Sequence, residues 1–156
     1  MAQEHRFACH TVWRGSMGDP VDPKAWKRDY AVEMAGKPDI SGSTSAAFFG
    51  DDSRHNPEDL LIAALSSCHM LSFLSASARA RLRIVAYEDR AEAVLSLVER
   101  NFRFTGATLR PRITLAREED LPKAREMNEL ARKLCFVANA VNFPVRDEAE
   151  FLVEGR

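Results

Sequence analysis

The stretch that most restricts the fold of this chain is NPEDLLIAALSSCHMLSFL, residues 56–74. Asn56 is a good N-cap, Pro57 suits the first helical position, and Glu58 and Asp59 lie at the positive end of the helix dipole. From there to about Arg81 the apolar residues leave almost no polar stripe. A helix apolar on nearly every side is normally covered on several sides, which makes it the centre of whatever is built around it. It also carries a cysteine, Cys68, in its middle. A thiol there is either plain packing or a nucleophile kept from bulk water.

The flanking pattern is mostly strand. Residues 6–14 alternate in period two, as do residues 28–34, while 16–22, 36–39 and 41–45 have loop chemistry. Residues 84–98 and 101–115 read as a strand-rich block, the second run divided by the turn residues Gly106 and Pro111. Asp120 and Pro122 open a second helix, whose apolar positions Ala124, Met127, Ala131, Leu134, Cys135, Ala138 and Val141 step by three or four until Asn142 and Pro144 end it. Residues 146–153 form a last strand. The order predicts an α+β fold, with antiparallel sheets packed around a central buried helix and a second amphipathic helix. The 156 residues are read as one domain, 1–156, with 46% hydrophobic and 29% charged residues, an ordinary soluble composition.

A net charge of −1 argues against a nucleic-acid or anionic-membrane partner. The N-terminal residues lack the apolar core of a signal peptide, and the longest apolar run is interrupted by Ser66, Ser67 and His69, so no membrane span is expected and the predicted location is cytoplasmic. The cysteines are Cys9, Cys68 and Cys135, an odd count that does not suit a stapled secreted scaffold. With no C-x-x-C or H-x-x-x-H spacing, neither a metal nor another cofactor is expected. Cys9 reads as structural. His69 lies about 100° around the helix from Cys68 and reads as packing rather than as a base for it. Trp13, Phe48, Phe49, Met70 and Phe73 read as core more readily than as a substrate channel.

Cys68 and Cys135 are the two thiols on which chemistry could rest. Packing is the plainer reading, because free cysteines are among the most buried residues. The alternative is a pair in which one thiolate attacks an O–O bond, becomes a sulfenic acid and is resolved by the other as a disulfide. That needs Cα atoms within about 6 Å and an activating cation.

N-P-E-D-L-L-x-A-A-L-x-x-C at 56–68, followed by C-F-V-A-N-A-V-N-F-P-V at 135–145, resembles the family of osmotically inducible protein C and the organic hydroperoxide resistance proteins. The resemblance covers roughly residues 28–153. It implies an OsmC-like fold in an intertwined homodimer with interfacial sites, acting as a thiol-dependent peroxidase on organic hydroperoxides, and on hydrogen peroxide as a further substrate, in oxidative or osmotic stress defence. A thiol or dithiol reductant would complete the cycle. By that resemblance Cys68 is the peroxidatic thiol, Cys135 the resolving thiol and Glu58 the acid that orients an arginine.

Glu58 and Cys68 are ten residues apart, about 15 Å along a straight helix. Either the helix breaks near Ser66–Ser67, or Glu58 serves the cysteine of a partner subunit; the second is favoured. The sequence departs from the family at the arginine, since AAFFGDD at 46–52 contains none. Arg54 is the nearest candidate and Arg28 the next. A non-catalytic protein holding a small apolar ligand on the same fold is the competing reading, and the displaced arginine favours it.

Overall fold

The computed structural model describes residues 3–155. They form two compact units, one ending at Leu60 and the other starting at Leu61.

The first unit is a small antiparallel sheet in the order β1 (His10–Val12), β2 (Tyr30–Glu33), β3 (Ile40–Gly42). The strand predicted over residues 6–14 shrinks to three residues: Phe7 is 94% exposed and Cys9 is exposed too, so Cys9 is not the packed residue expected. β3 falls on residues with loop chemistry. Backbone pairing of Val32 with Ile40 and of Tyr30 with Gly42 makes it a strand. Gly42 is needed there, because a Cβ would come within 2.3 Å of the Tyr30 ring. The segment that follows is held by its own polar groups. Ser43 N donates to His55 O, and Asp52 Oδ1 accepts Ala46 N at 2.7 Å.

The second unit has two three-stranded sheets, β4 (Ile84–Asp89), β7 (Pro111–Leu115) and β9 (Glu150–Val153) in the order β4-β7-β9, and β5 (Glu92–Val98), β6 (Asn101–Leu109) and β8 (Val145–Asp147) in the order β5-β6-β8. β4–β7 and β5–β6 are antiparallel, whereas β9 and β8 add in parallel, so both sheets are mixed. The first predicted run is two strands, divided at Arg90–Ala91, and the second divides at Arg110 beside Pro111, as expected, but not at Gly106, which lies inside β6; the single last strand expected over 146–153 is β8 and β9, in different sheets. Asp89 explains the division at Arg110. Its Oδ1 accepts the Arg110 backbone N–H at 2.7 Å, a role a strand partner would otherwise fill, and Pro111 has no N–H to offer.

Helix α1 (Pro57–Arg79) begins with a reciprocal cap: Asp59 N donates to Asn56 Oδ1 at 2.7 Å, and Asn56 N to Asp59 Oδ2 at 3.2 Å. It buries one stripe, Leu65, His69, Phe73, Ala76 and Ser77. Ala63, Ala64 and Leu71 stay exposed, so this chain covers one side of a helix that reads as apolar all round. By length and composition α1 could cross a membrane, contrary to the expectation that no run is long enough. It packs as the core helix of the fold, and its polar residues are bonded: Ser66 Oγ to Asp89 Oδ2 at 2.6 Å, and Ser67 Oγ to Ala63 O at 2.7 Å.

Phe73 and Ala76 pack with Ile113 and Leu115 of β7 and with Ala124, Met127 and Ala131 of α2 (Leu121–Leu134). Leu65 packs with Ala107, Leu109 and Cys135 in a second cluster. α2 stops at Leu134, seven residues before the predicted Val141. Cys135 is its C-cap in extended conformation (φ −68°, ψ 109°), and residues 136–140 continue as turns closed by Asn139 N to Cys135 O and Ala140 N to Val137 O. Replacing Phe73, which has no exposed surface, by alanine is expected to cost about 3–5 kcal/mol, read as a lower urea midpoint at unchanged slope. A loss under about 1 kcal/mol would show that this contact does not anchor α1.

Candidate active site

α1 presents Cys68 three residues after Leu65, on the same side of the helix, so both reach the second cluster. Cys135 reaches it from the other direction because the chain leaves the α2 helix at that residue. The two thiols are free, and Cys68 packs against the cluster that contains Cys135. Their surroundings differ. Cys68 is half-buried, while Cys135 is fully buried and its sulfur accepts the Ala138 N–H at 3.4 Å. Burial pushes the Cys135 thiol up to about 11, with the neighbouring Cys68 adding to the rise and the Ala138 N–H opposing it. Cys135 is therefore a neutral thiol at physiological pH. Around the pair stand Ile62, Ala91, Ala93, Val137, Ala138, Phe143 and Val145, an apolar lining.

The other expected residues belong to the first unit. Arg54 Nε donates to Asp51 Oδ2 at 3.1 Å, its Nη2 lies 3.7 Å from Asp29 Oδ2, and its Nη1 donates to Ser41 Oγ. Its charge is thus matched by two carboxylates. Arg28 has a different setting. It donates to the carbonyls of Pro23 and Trp26, both at 2.8 Å, and lies 4.3 Å from the Trp26 ring centre and 5.3 Å from that of Phe49. No carboxylate pairs with it among the described residues. Glu58 is half-buried and near Tyr30, whose phenol is pushed up first by burial and then by Glu58 and Asp59. α1 is continuous through Ser66 and Ser67, so the helix break that would bring Glu58 toward its own Cys68 does not occur.

His69 is buried, as expected, but it is a polar anchor rather than mere packing. Its Nε2 lies 3.2 Å from Asn128 Oδ1, and Asn128 Nδ2 donates to Asp147 Oδ2 at 2.7 Å. Asn128 and Asp147 were missed in the sequence. The signal that could have found Asn128 is one amide on the apolar face of α2. Among the described residues no group of three or more His, Cys, Asp or Glu side chains could hold a metal ion.

A family model described as OsmC-like protein matches residues 50–148, which include both thiols. The chain belongs to the OsmC-like family. Its fold matches an OsmC-like protein of unknown function from Vibrio cholerae with a TM-score of 0.84 and 27% identity, over 94% of this chain and 100% of that one. It also matches an organic hydroperoxide resistance protein from Elizabethkingia anophelis (TM-score 0.68, 17% identity, 97% and 100% covered) and another from Bacillus subtilis (TM-score 0.64, 20% identity, 92% and 98% covered). At those identities these two resemblances show the fold alone. No curated protein matches the chain.

In the OsmC-like fold described here the two thiols should be separable by pH. With Cys68 replaced by serine, alkylation of Cys135 by iodoacetamide in the folded protein is expected to be very slow at pH 7 and to accelerate about tenfold per pH unit until near pH 11. Fast alkylation at pH 7, followed by mass spectrometry, would mean that burial does not hold the proton on Cys135.

Proposed function

We propose that this OsmC-like protein is a thiol-dependent peroxidase that reduces organic hydroperoxides, with hydrogen peroxide a further substrate, in cellular stress defence. The observation that carries the reading is a pair of free thiols in one apolar cluster, one half-buried and one fully buried. In the proposed cycle the Cys68 thiolate attacks the outer oxygen of R–O–O–H and breaks the O–O bond. The alkoxide leaves with a proton as the alcohol, and Cys68 becomes a sulfenic acid. Cys135 then attacks the Cys68 sulfur, its proton leaves with the hydroxide as water, and a disulfide forms. A thiol or dithiol reductant supplies two electrons and two protons to restore both thiols. Keeping Cys135 protonated leaves Cys68 as the thiol that meets peroxide first.

Of the two candidate cations for Cys68, Arg54 and Arg28, we propose Arg28, a reading supported by the two carboxylates that already take up the Arg54 charge. Glu58 would orient that arginine in the site of the partner subunit of a homodimer. A dimer is supported by the exposed apolar side of the thiol-bearing unit, where Leu71, Leu134 and Phe136 are 61%, 42% and 83% exposed.

The deciding measurement is intact mass after one equivalent of cumene hydroperoxide. Wild type is expected to lose two hydrogens, and Cys135→Ser to carry a sulfenic acid on Cys68 that over-oxidises with more peroxide. Unchanged masses would move the protein to a non-catalytic holder of a small apolar ligand. In turnover, Arg28→Ala is expected to lose about 100-fold in kcat/KM and Arg54→Ala less than about threefold; the reverse order would return the role to Arg54. Phe136→Asp is expected to convert a dimer to a monomer by light scattering. A wild-type monomer would remove both the dimer and the proposed site for Glu58.

A further inference from the structure

Behind the thiol cluster, within the second unit, lies a cavity of about 410 Å³ that the peroxidase reading does not use. Four of its walls, Leu109, Ala138, Phe143 and Val145, also pack in the cluster around Cys68 and Cys135. Its inner end is polar. Asp147, whose side chain is only 3% exposed, lines it with His69. The Asp147 Oδ2 accepts from Asn128 and stands 3.6 Å from His69 Nε2, but Oδ1 has no hydrogen-bond partner. A buried carboxylate oxygen without a donor is costly, and a ligand donor would relieve that cost. The outer end has the opposite sign: Arg132 and Lys133 outnumber Glu129, which Arg132 already faces at 3.4 Å. Lys133 has no carboxylate partner among the described residues.

We propose that this cavity binds a small zwitterion, with an ammonium group donating to Asp147 Oδ1, an apolar body along Leu109, Phe143 and Val145, and a carboxylate at Arg132 and Lys133. The ligand class is an amino acid with separated charges or a short peptide, and the volume is that of an ordinary small-molecule site. The proposal does not depend on peroxidase activity. The shared walls mean that occupancy is felt beside the thiols.

The groups facing Asp147 set the pH dependence. Burial pushes its carboxyl up, His69, the Asn128 amide and Arg132 pull it down, Glu129 adds to the rise, and Tyr87 feels its charge from β4. An ammonium needs Asp147 ionised, so binding becomes tighter as pH rises through the range above the ordinary carboxylate value, into which burial pushes this carboxyl.

The test uses 6-aminohexanoate as probe, with hexanoate and hexylamine as controls, against the full chain with labelled methyl groups. The zwitterion is expected to shift the Leu109, Ala138 and Val145 methyl signals with a Kd on the order of millimolar, each control binding about tenfold more weakly. Asp147→Asn and, at the surface, Lys133→Glu should each weaken the probe about tenfold. No methyl shifts at tens of millimolar, as when a water molecule alone serves Oδ1, would overturn the proposal. So would hexylamine binding as well as the probe, or undiminished binding by both variants.

Discussion

Everything in the larger unit depends on one stripe of α1 being buried at a spacing of three and four residues. Leu65 and Phe73, both without exposed surface, sit two turns apart and enter different clusters. Burying each stabilises the fold by about 1.5–3 kcal/mol, enough to fix the rotation of the helix about its axis. That rotation decides where Cys68 points. One position earlier or later, the sulfur would turn by about 100° and leave Cys135. The thiol pair is therefore a consequence of core packing on both sides of it, rather than of any bond between the cysteines.

Hydrophobic burial alone would let such an apolar helix slide. Two polar contacts prevent it. Ser66 is bonded to Asp89 at the corner where both long strand runs bend, and His69 to Asn128 of α2. Each contact leaves an unsatisfied buried group if the helix shifts by a residue, a penalty of about 1–3 kcal/mol. Asp89 serves both the helix and the Arg110 backbone, so the corner that separates the two sheets and the register of α1 are one arrangement. The Ser66 and His69 that interrupt the hydropathy of the helix are the residues that give it a fixed place.

This explains which parts of the fold were legible in the sequence. The start of α1 was, because Asn56, Pro57 and Asp59 act through local backbone geometry. So were both helices and the alternation of the strand runs. The division of the second run at Pro111 was legible as well, whereas the division of the first at Arg90–Ala91 was not, and Gly106, which reads as a turn, lies inside β6; the corner rests on a side chain, Asp89, twenty-one residues from the amide that it accepts. β3 was hidden for a similar reason: its pairing with β2 is backbone to backbone, and Ser41 and Gly42 carry no strand signal. The end of α2 was misplaced because Ala138 and Val141 keep helical spacing although the backbone has already turned.

That Cys68 and Cys135 could meet was legible from the apolar surroundings of both, whereas the difference in their burial was not. Helical spacing put Cys135 on the apolar face of α2, where the thiol would have been one more packed side chain. The structure instead makes it the cap, with its backbone extended and its amide still bonded to Ala131 O at 2.9 Å. Leaving the helix there lets the following turns fold back, so that the Ala138 N–H reaches the sulfur and Val137, Ala138, Phe143 and Val145 close around it. The same turns leave Phe136 outside at 83% exposure. A helix continued to Val141 would forgo that wrapping, because its amides would be spent on i−4 carbonyls rather than free for the sulfur. The early stop of α2 is thus the event that turns two cysteines of similar sequence context into an accessible thiol and a sheltered, protonated one.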